Sequence, residues 1–523
     1  MRDSGTELLL AIDAGTQSVR ALLFDLEGNL VARVQQPLKD YAAPQPGWLE
    51  HEVGAFWDAT ASVCRRLWQE RPELRDRVRG VAVTTQRGSV MPLDREGHPL
   101  HPAIIWLDQR KAERLPRLAP WWRAALGVVG VTDLLRAFQR DAEANWFAEE
   151  RPEVWARTHK FVLLSGYLNW KLTGGWVDST ASQVGYLPFD FKRHTWARSW
   201  DWKWQALALD REQLPELVEV GGTLGTVTPE AADACGIPAG LPVIAAAADK
   251  ACEILGASAL TPEVGALSYG TTATINITSA RYLEATRWVP PYPAALPGRY
   301  SVEFQIFRGY WMVDWFKQNF AAEERMAAEQ AGVLPESLFD ELVGQVPAGS
   351  HGLMLQPYWS PGIRHPGPDA KGAVIGFGDV HTRAHLYRAI LEGLAYALRE
   401  GSEKIEAASG RRIQSLRVSG GGSQSDAALQ LTADVFGLPT ARPHTYETSG
   451  LGAAIVASVG LGLHRDFDAA VAAMTRTARI FDPVPHNAEI YDALYGRVYK
   501  HIYQRLAPLY AEIQQITGYP TLV

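Results

Sequence analysis

Apolar residues fill Leu8–Ile12 without a break, the polar stretch Asp13-Ala-Gly15-Thr16-Gln17-Ser18 follows, and a largely apolar run from Val19 to Phe24 ends at Asp25-Leu-Glu-Gly28-Asn29. This pattern predicts a strand, a tight turn, a second strand and a further turn into Leu30–Val34, an antiparallel meander. The outline recurs from Val264 to Ile277, where apolar and β-branched residues flank Gly270-Thr271. The chain therefore reads as two related halves. Amphipathic stretches at Val53–Arg71 and Thr158–Leu172 predict helices between the two openings, and apolar runs at Val81–Thr84 and Leu241–Ala246 predict strands. After the second opening, helices are expected at Arg308–Phe320, His385–Glu400 and Ser425–Phe436, with a strand at Ser415–Val418 and a helical tail. Such alternation implies a pair of α/β domains. The boundary is expected near Leu260-Thr-Pro-Glu263, because a helix stops before a proline, which gives domains over 1–260 and 261–523. A cleft between two such halves is the default place for a ligand.

Composition narrows the class. The 523 residues, 47% apolar and 21% charged, suit two or three globular domains. A net charge of −7 gives no overall pull toward nucleic acid or an anionic membrane, so an anionic ligand would need local positive groups. The three cysteines, Cys64, Cys235 and Cys252, are odd in number and widely spaced, which argues against a disulfide framework and a zinc site. No run reaches the roughly 18 uncharged apolar residues of a membrane helix, and the N-terminus lacks a signal-like apolar region. The expectation is a cytoplasmic protein with no nucleic-acid or membrane partner.

Four segments carry chemistry. In Asp13-Ala-Gly15-Thr16-Gln17-Ser18-Val-Arg20, Gly15 admits a ligand close to the backbone, and the turn amides with the Thr16 and Ser18 hydroxyls can donate to phosphate oxygens. Asp13 can hold Mg²⁺ through water, and Arg20 can add a cationic clamp. An ordinary glycine turn with a capping aspartate explains this segment alone equally well. Tyr269-Gly270-Thr271-Thr272 offers the same chemistry at the matching place in the second half, and the pair is more specific than either member.

Ser419-Gly420-Gly421-Gly422-Ser423-Gln424-Ser425-Asp426 lies between a strand and a helix, where bare backbone can accept a base and sugar and free helix-start amides can meet a phosphate. In the following Gly450-Leu-Gly452-Ala453-Ala454, close helix packing is the reading for Ala453 and Ala454. Finally, Ala246-Ala-Ala-Asp249-Lys250 ends an apolar strand in a carboxylate that suits either a general base or a helix N-cap. No Walker A or G-x-G-x-x-G sequence is present.

In this order, the segments make the chain similar to the FGGY family of carbohydrate kinases from about Leu8 to Gly462. Further landmarks are Gly47-Trp48-Leu-Glu50-His51, Thr85-Gln86-Arg87, Trp106-Leu-Asp108-Gln-Arg110, Lys171-Leu-Thr-Gly174, and Gly372-Ala-Val-Ile-Gly376-Phe377 leading to His385 and Glu392. The resemblance implies two ribonuclease-H-like domains of the actin and hexokinase type with an interdomain cleft, the first binding sugar and the second ATP. It implies Asp249 as the base and Asp13 with Asp249 as the magnesium-associated carboxylates. Gly15, Thr16, Gln17, Ser18, Arg20, Gly270, Thr271 and Thr272 would line the phosphates, and Gly421, Gly422 and Ser425 the adenosine. Gln86, Arg87, Trp106, Asp108 and Lys250 would face the substrate, a small sugar or polyol. A homodimer is the family-based expectation.

Two departures bear on the substrate, and a third is a drift within one of the family's signature regions. Lys250 stands where the family has Gln or Asn, and it could contact a sugar oxygen, pair with Asp249 or point to solvent. Thr85-Gln86-Arg87-Gly88 resembles the glycerol-kinase pattern without its Glu, whereas Trp106-Leu-Asp108-Gln-Arg110 resembles the xylulokinase pattern. Glu143 replaces a Lys three positions before Trp146 and reads as a surface glutamate on a helix. Of the tryptophans, Trp106 is expected at the sugar, while Trp121, Trp122, Trp196, Trp200, Trp202 and Trp204 read as packing anchors. The expected activity is ATP-dependent phosphorylation of a ketopentose such as D-xylulose. Glycerol, ribulose or a linear signalling compound are alternatives, and a conformational ATPase is the rival of another class.

Overall fold

A computed structural model describes residues 7–38, 41–331, 335–360, 366–367 and 369–519. The chain divides into two compact units. The first comprises Met1–Gly256, Tyr292–Tyr300 and Ser449–Thr475; the second comprises Ala257–Pro291, Ser301–Thr448 and Arg476–Val523.

In the first unit β1 (Leu8–Ala14), β2 (Ser18–Asp25) and β3 (Leu30–Pro37) form the meander. On the other side of β1 lies β4 (Val78–Thr85), in parallel. The strand β6 (Pro242–Ile244) is parallel to β4, and β5 (Thr223–Thr226) is antiparallel to β6. The order is β5-β6-β4-β1-β2-β3. All seven residues of β1 are buried, which is why its sequence is a continuous apolar run rather than an alternation.

The second unit repeats this plan. Strands β7 (Val264–Tyr269), β8 (Ala273–Ser279) and β9 (Tyr300–Ile306) stand in meander order, with β10 (Ser415–Ser419) parallel to β7. Next come β11 (Thr440–Pro443), parallel to β10, and β12 (Thr477–Phe481), antiparallel to β11. These six of the sheet's seven strands match the first unit's sheet in order, with the sixth again reversed, and the mixed α/β architecture is the expected one.

Local differences from the sequence reading have simple causes. The stretch Thr158–Leu172 is not one helix. Lys160–Leu163 pairs antiparallel with Val90–Leu93, and the helix begins at Leu164. An apolar run that short has no periodicity to separate strand from helix. Trp121 and Trp200 are 65% and 61% exposed, so they are not core anchors. Trp196 is buried and donates to the Pro215 carbonyl at 2.9 Å, as an anchor should. Among the described residues no helix is long and apolar enough to cross a membrane.

Within the first unit, Ala453 and Ala454 are fully buried, and a Cβ on Gly452 would lie 1.9 Å from the Cys252 carbonyl oxygen. Backbone, not side chain, occupies that space. Gly452→Ala is expected to destabilise the protein by about 1–3 kcal/mol, read as a lower urea midpoint with unchanged slope.

Candidate active site

The β1–β2 corner is closed by the Gly15 amide donating to the Ser18 carbonyl at 3.1 Å. A Cβ on Gly15 would meet only that carbonyl, at 3.7 Å, so one side of the corner is open. The Gln17 carbonyl is held by the Leu38 amide at 2.9 Å, and the Thr16 carbonyl by the Tyr41 hydroxyl. The Thr16 hydroxyl donates to Gln86 Oε1 and accepts from Trp106 Nε1, each at 3.0 Å. Residues expected at the phosphates and at the sugar thus share one network. Ser18 is buried, and its hydroxyl accepts from Gln35 Nε2 at 2.8 Å.

Asp13 and Arg20 face each other across β1 and β2. The guanidinium donates to Asp13 Oδ2 at 2.7 Å, so Arg20 clamps the carboxylate. Asp13 is 3% exposed.

Asp249 opens the helix Asp249–Gly256. The segment before it is pinned at three successive carbonyls. Ser179 Oγ donates to that of Ala246, Thr84 Oγ1 to that of Ala247 at 2.9 Å, and the Cys252 amide to that of Ala248 at 3.0 Å. Asp178, whose backbone neighbours Ser179, is buried and held by Ser165, Asn169 and Gln183. Burial pushes the Asp249 carboxyl up to about 6, against the pull of Lys250 and Arg87 and with the push of Asp13 and Glu253. Lys250 does not point to solvent: its ammonium pairs with Glu253 at 2.9 Å and is 16% exposed.

Gln86 is 3% exposed, and its Nε2 finds no hydrogen bond of good geometry, with Tyr41 beside it. Such a buried donor is a place for a ligand oxygen. The Arg87 guanidinium lies 4.9 Å from the centre of the Tyr292 ring.

Asp108 is placed differently from a free sugar ligand. Its Oδ2 accepts from the Leu49 amide at 2.6 Å and from Arg110 Nη2 at 2.8 Å; Oδ1 accepts from Arg110 Nε and the Arg110 amide, both at 2.8 Å. Arg110 also bonds Glu50 and lies against Trp48 and Trp146 at 4.2 and 4.5 Å. The Asp108–Arg110 fork orders the loop that carries Trp106. Glu143, expected on the surface, is half-buried at the start of the helix Glu143–Glu150, where burial pushes its carboxyl up to about 8.

In the second unit the Gly270-Thr271-Thr272 corner is bridged by Gly309 and Tyr310, whose amides donate to the carbonyls of Thr271 and Gly270 at 2.9 and 3.0 Å. Both Gly270 and Thr271 are half-buried, and a Cβ on Gly270 would meet nothing closer than 3.6 Å. In the glycine run, Gly420 has φ +82° against the Tyr269 backbone. A Cβ on Gly422 would lie 2.4 Å from the Tyr310 ring, whereas Gly421 has open space around it. Tyr269 and Tyr310 stack beneath, with ring centres 4.3 Å apart.

The expectation of free helix-start amides after this run is corrected. The Asp426 and Ala427 amides donate to Asp340 Oδ2 at 3.1 and 3.4 Å, and the Ser425 hydroxyl donates to Asp340 Oδ1 while capping the Ala428 amide. A carboxylate from 85 residues upstream already occupies the positive helix end. Asp340 and the Tyr41 and Gln35 supports were absent from the sequence reading, and Arg110 entered it only as a family landmark, because nothing local marks a long-range partner.

A family model described as the FGGY family of carbohydrate kinases, N-terminal domain, matches residues 8–256, and its C-terminal counterpart matches 265–461. The chain is 30% identical over 501 residues to the uncharacterized sugar kinase YgcE of Escherichia coli strain K12, covering 94% of this chain and 93% of that one. It is 30% identical to a glycerol kinase of Dechloromonas aromatica, covering 92% and 94% respectively. A solved xylulose kinase of Rhodospirillum rubrum superposes with a TM-score of 0.78 at 28% identity, over 97% of this chain and 100% of that one.

Asp249→Asn removes the ionisable carboxyl, so turnover should fall by roughly 10²–10⁴-fold, the usual worth of a general base. Because the folded carboxyl binds its proton more tightly than an unfolded one, its ionisation costs stability that is lost between about pH 4 and pH 6 and stays lost above, so the variant should melt no lower than wild type at pH 7.5. In the wild type, kcat/KM should fall by about tenfold per unit below pH 6, where the carboxyl is protonated.

Proposed function

The chain belongs to the FGGY family of carbohydrate kinases and is a phosphotransferase, and we propose that it moves the γ-phosphoryl group of ATP to a hydroxyl of a small neutral ketose or polyol. D-Xylulose is the first compound to try, with glycerol, ribulose and linear polyols next. Relatives named glycerol kinase and xylulose kinase support this range. The observation that carries the reading is Asp249: a carboxylate fixed by three pinned carbonyls, basic enough to take a proton near neutrality, and within Coulombic reach of Arg87 and Asp13.

On this reading the first unit holds the sugar. Trp106 supplies an apolar ring face whose indole nitrogen is already committed to Thr16, and the Gln86 amide donates to a substrate oxygen. Asp249 accepts the proton of the attacking hydroxyl as its oxygen bonds to the γ-phosphorus and the bond to ADP breaks. The second unit holds the nucleotide. Its phosphates sit against the Gly270-Thr271-Thr272 amides, and the adenosine lies along the bare backbone of Gly421, over the floor that Gly422 makes with Tyr310.

Asp13 and Asp249 fit a hard divalent cation: they are two buried or half-buried carboxylates that repel each other electrostatically. Bound there through water, Mg²⁺ would neutralise charge on the transferring phosphoryl group. A conformational ATPase would need neither Asp249 nor the Thr16–Gln86–Trp106 network.

ADP release measured against a panel of pentuloses, polyols and hexuloses is expected to rise at least about tenfold with one neutral member. An ADP rate indifferent to every sugar would instead indicate the conformational ATPase. Gly421→Ala, which meets no neighbouring atom, should leave the melting temperature unchanged and raise the KM for ATP several-fold.

A further inference from the structure

Asp178 carries a carboxyl that the mechanism above does not use. It lies in the short strand Val177–Ser179 and is fully buried. Ser165 Oγ and Gln183 Nε2 each donate to its Oδ2 at 2.7 Å, and Asn169 Nδ2 and the Ser179 amide donate to its Oδ1 at 3.0 and 2.8 Å. Among the described residues no cation pairs with it; the donors are all neutral. Ser165 and Asn169 stand one turn apart on the helix Leu164–Thr173 and tie the carboxyl to it. Donors on both oxygens require an acceptor at both, and among side chains of this size only a carboxylate supplies that.

The other two donors begin and end one short segment, built on the single 3-10 turn Thr180–Ser182. At its start the Ser179 hydroxyl donates to the Ala246 carbonyl, and two residues on the Ala181 carbonyl accepts from the Ala248 amide at 3.1 Å. The segment thus grips the residues just before Asp249 at a carbonyl and at an amide. At its end Gln183 Nε2 also donates to the Ser179 carbonyl at 3.0 Å, and the chain runs on into Val184 and Gly185. A Cβ on Gly185 would lie 3.8 Å from Gly88 Cα; one on Gly88 would lie 3.9 Å from the Val184 carbonyl oxygen and 3.4 Å from Trp106 Cβ. Gly88 directly follows Gln86 and Arg87. One segment therefore touches the residues that carry the base and the corner that carries the sugar-facing side chains.

We propose that Asp178 is a positioning residue: by holding both ends of this segment it sets the Asp249 base against the Gly88–Trp106 corner, where the sugar is held. This rests on the kinase reading above and deepens it. Sealed from solvent, Asp178 acts through the segment and not on the substrate. The isosteric amide shows which bond matters. An Asn at 178 must keep its carbonyl where Ser179 and Asn169 both donate, and the Ser165 hydroxyl can turn to accept from the amide nitrogen. Gln183, held as a donor by the Ser179 carbonyl, then meets a second donor. Asp178→Asn therefore opens the segment at the end that rests on Gly88.

The test compares wild type with Asp178→Asn, Gln183→Ala and the double variant, each assayed well below its melting temperature. Initial rates are taken with the sugar or polyol that wild type turns over best varied at saturating ATP, and with ATP varied at saturating sugar. Each single variant is expected to lower kcat/KM for the sugar about tenfold or more, with the KM for ATP within about twofold of wild type. Because both break the same bond, the double variant should lose no more than about twofold beyond the worse single one. Gln183→Ala places no unmatched donor in the core, and it serves alone if Asp178→Asn does not fold. Wild-type kcat/KM in the variants that fold would overturn the proposal. So would losses that multiply in the double variant, or a KM for ATP that rises as far as the KM for the sugar. A wild type that phosphorylates no sugar or polyol would overturn the kinase reading and this proposal with it, whereas an active wild type with unaffected variants would overturn this proposal alone.

Discussion

Holding one carboxylate half out of water, in a fixed direction, is the constraint around which the first unit is built. Asp249 follows three carbonyls whose positions are set by donors from three places in the chain: Ser179, Thr84 and the helix's own Cys252 amide. Ser179 is itself positioned by the buried Asp178 cluster. Desolvation then makes the carboxylate a better base than a surface aspartate, while Lys250 and Arg87 keep it from becoming neutral at physiological pH. Pairing Lys250 with Glu253 moderates that pull, because part of the ammonium's field is spent on its own helix.

The duplicated sheets show how one plan serves two tasks. Both corners follow a buried first strand, both carry Gly-Thr, and both leave space beside the glycine. Yet the Thr16 hydroxyl is tied to Gln86 and Trp106, whereas the second corner is backed by the amides of Gly309 and Tyr310. One corner has been joined to a group that suits a polyhydroxy substrate, and the other remains a backbone cradle. The difference lies in what each unit's remaining residues bring to the corner, not in the corner itself.

Much of this was legible in the chain. Continuous apolar runs around Asp13-Ala-Gly15-Thr16 and Tyr269-Gly270-Thr271 mark doubly covered strands closing on tight turns, and the structure has both. Position-specific chemistry was less legible wherever a residue's partner lies far along the chain. Asp108 reads as a ligand residue until Arg110 and the Leu49 amide are seen to use both its oxygens. The helix-start amides after Ser425 read as open to a phosphate until Asp340 is seen to accept from them. Glu143 looks solvated because its helix is short and polar, and only the tertiary neighbourhood of Asp108, Asp141 and Arg110 changes that.

The central claim concerns the protonation of one side chain, so it is tested most directly by titrating that side chain in the folded protein. Carbon-13 NMR of the protein labelled at aspartate carboxyl carbons, with the Asp249→Asn variant to assign the resonance, reads it without reference to turnover. The account predicts a midpoint close to pH 6. A midpoint at or below about 4, where an unperturbed aspartate titrates, would contradict it.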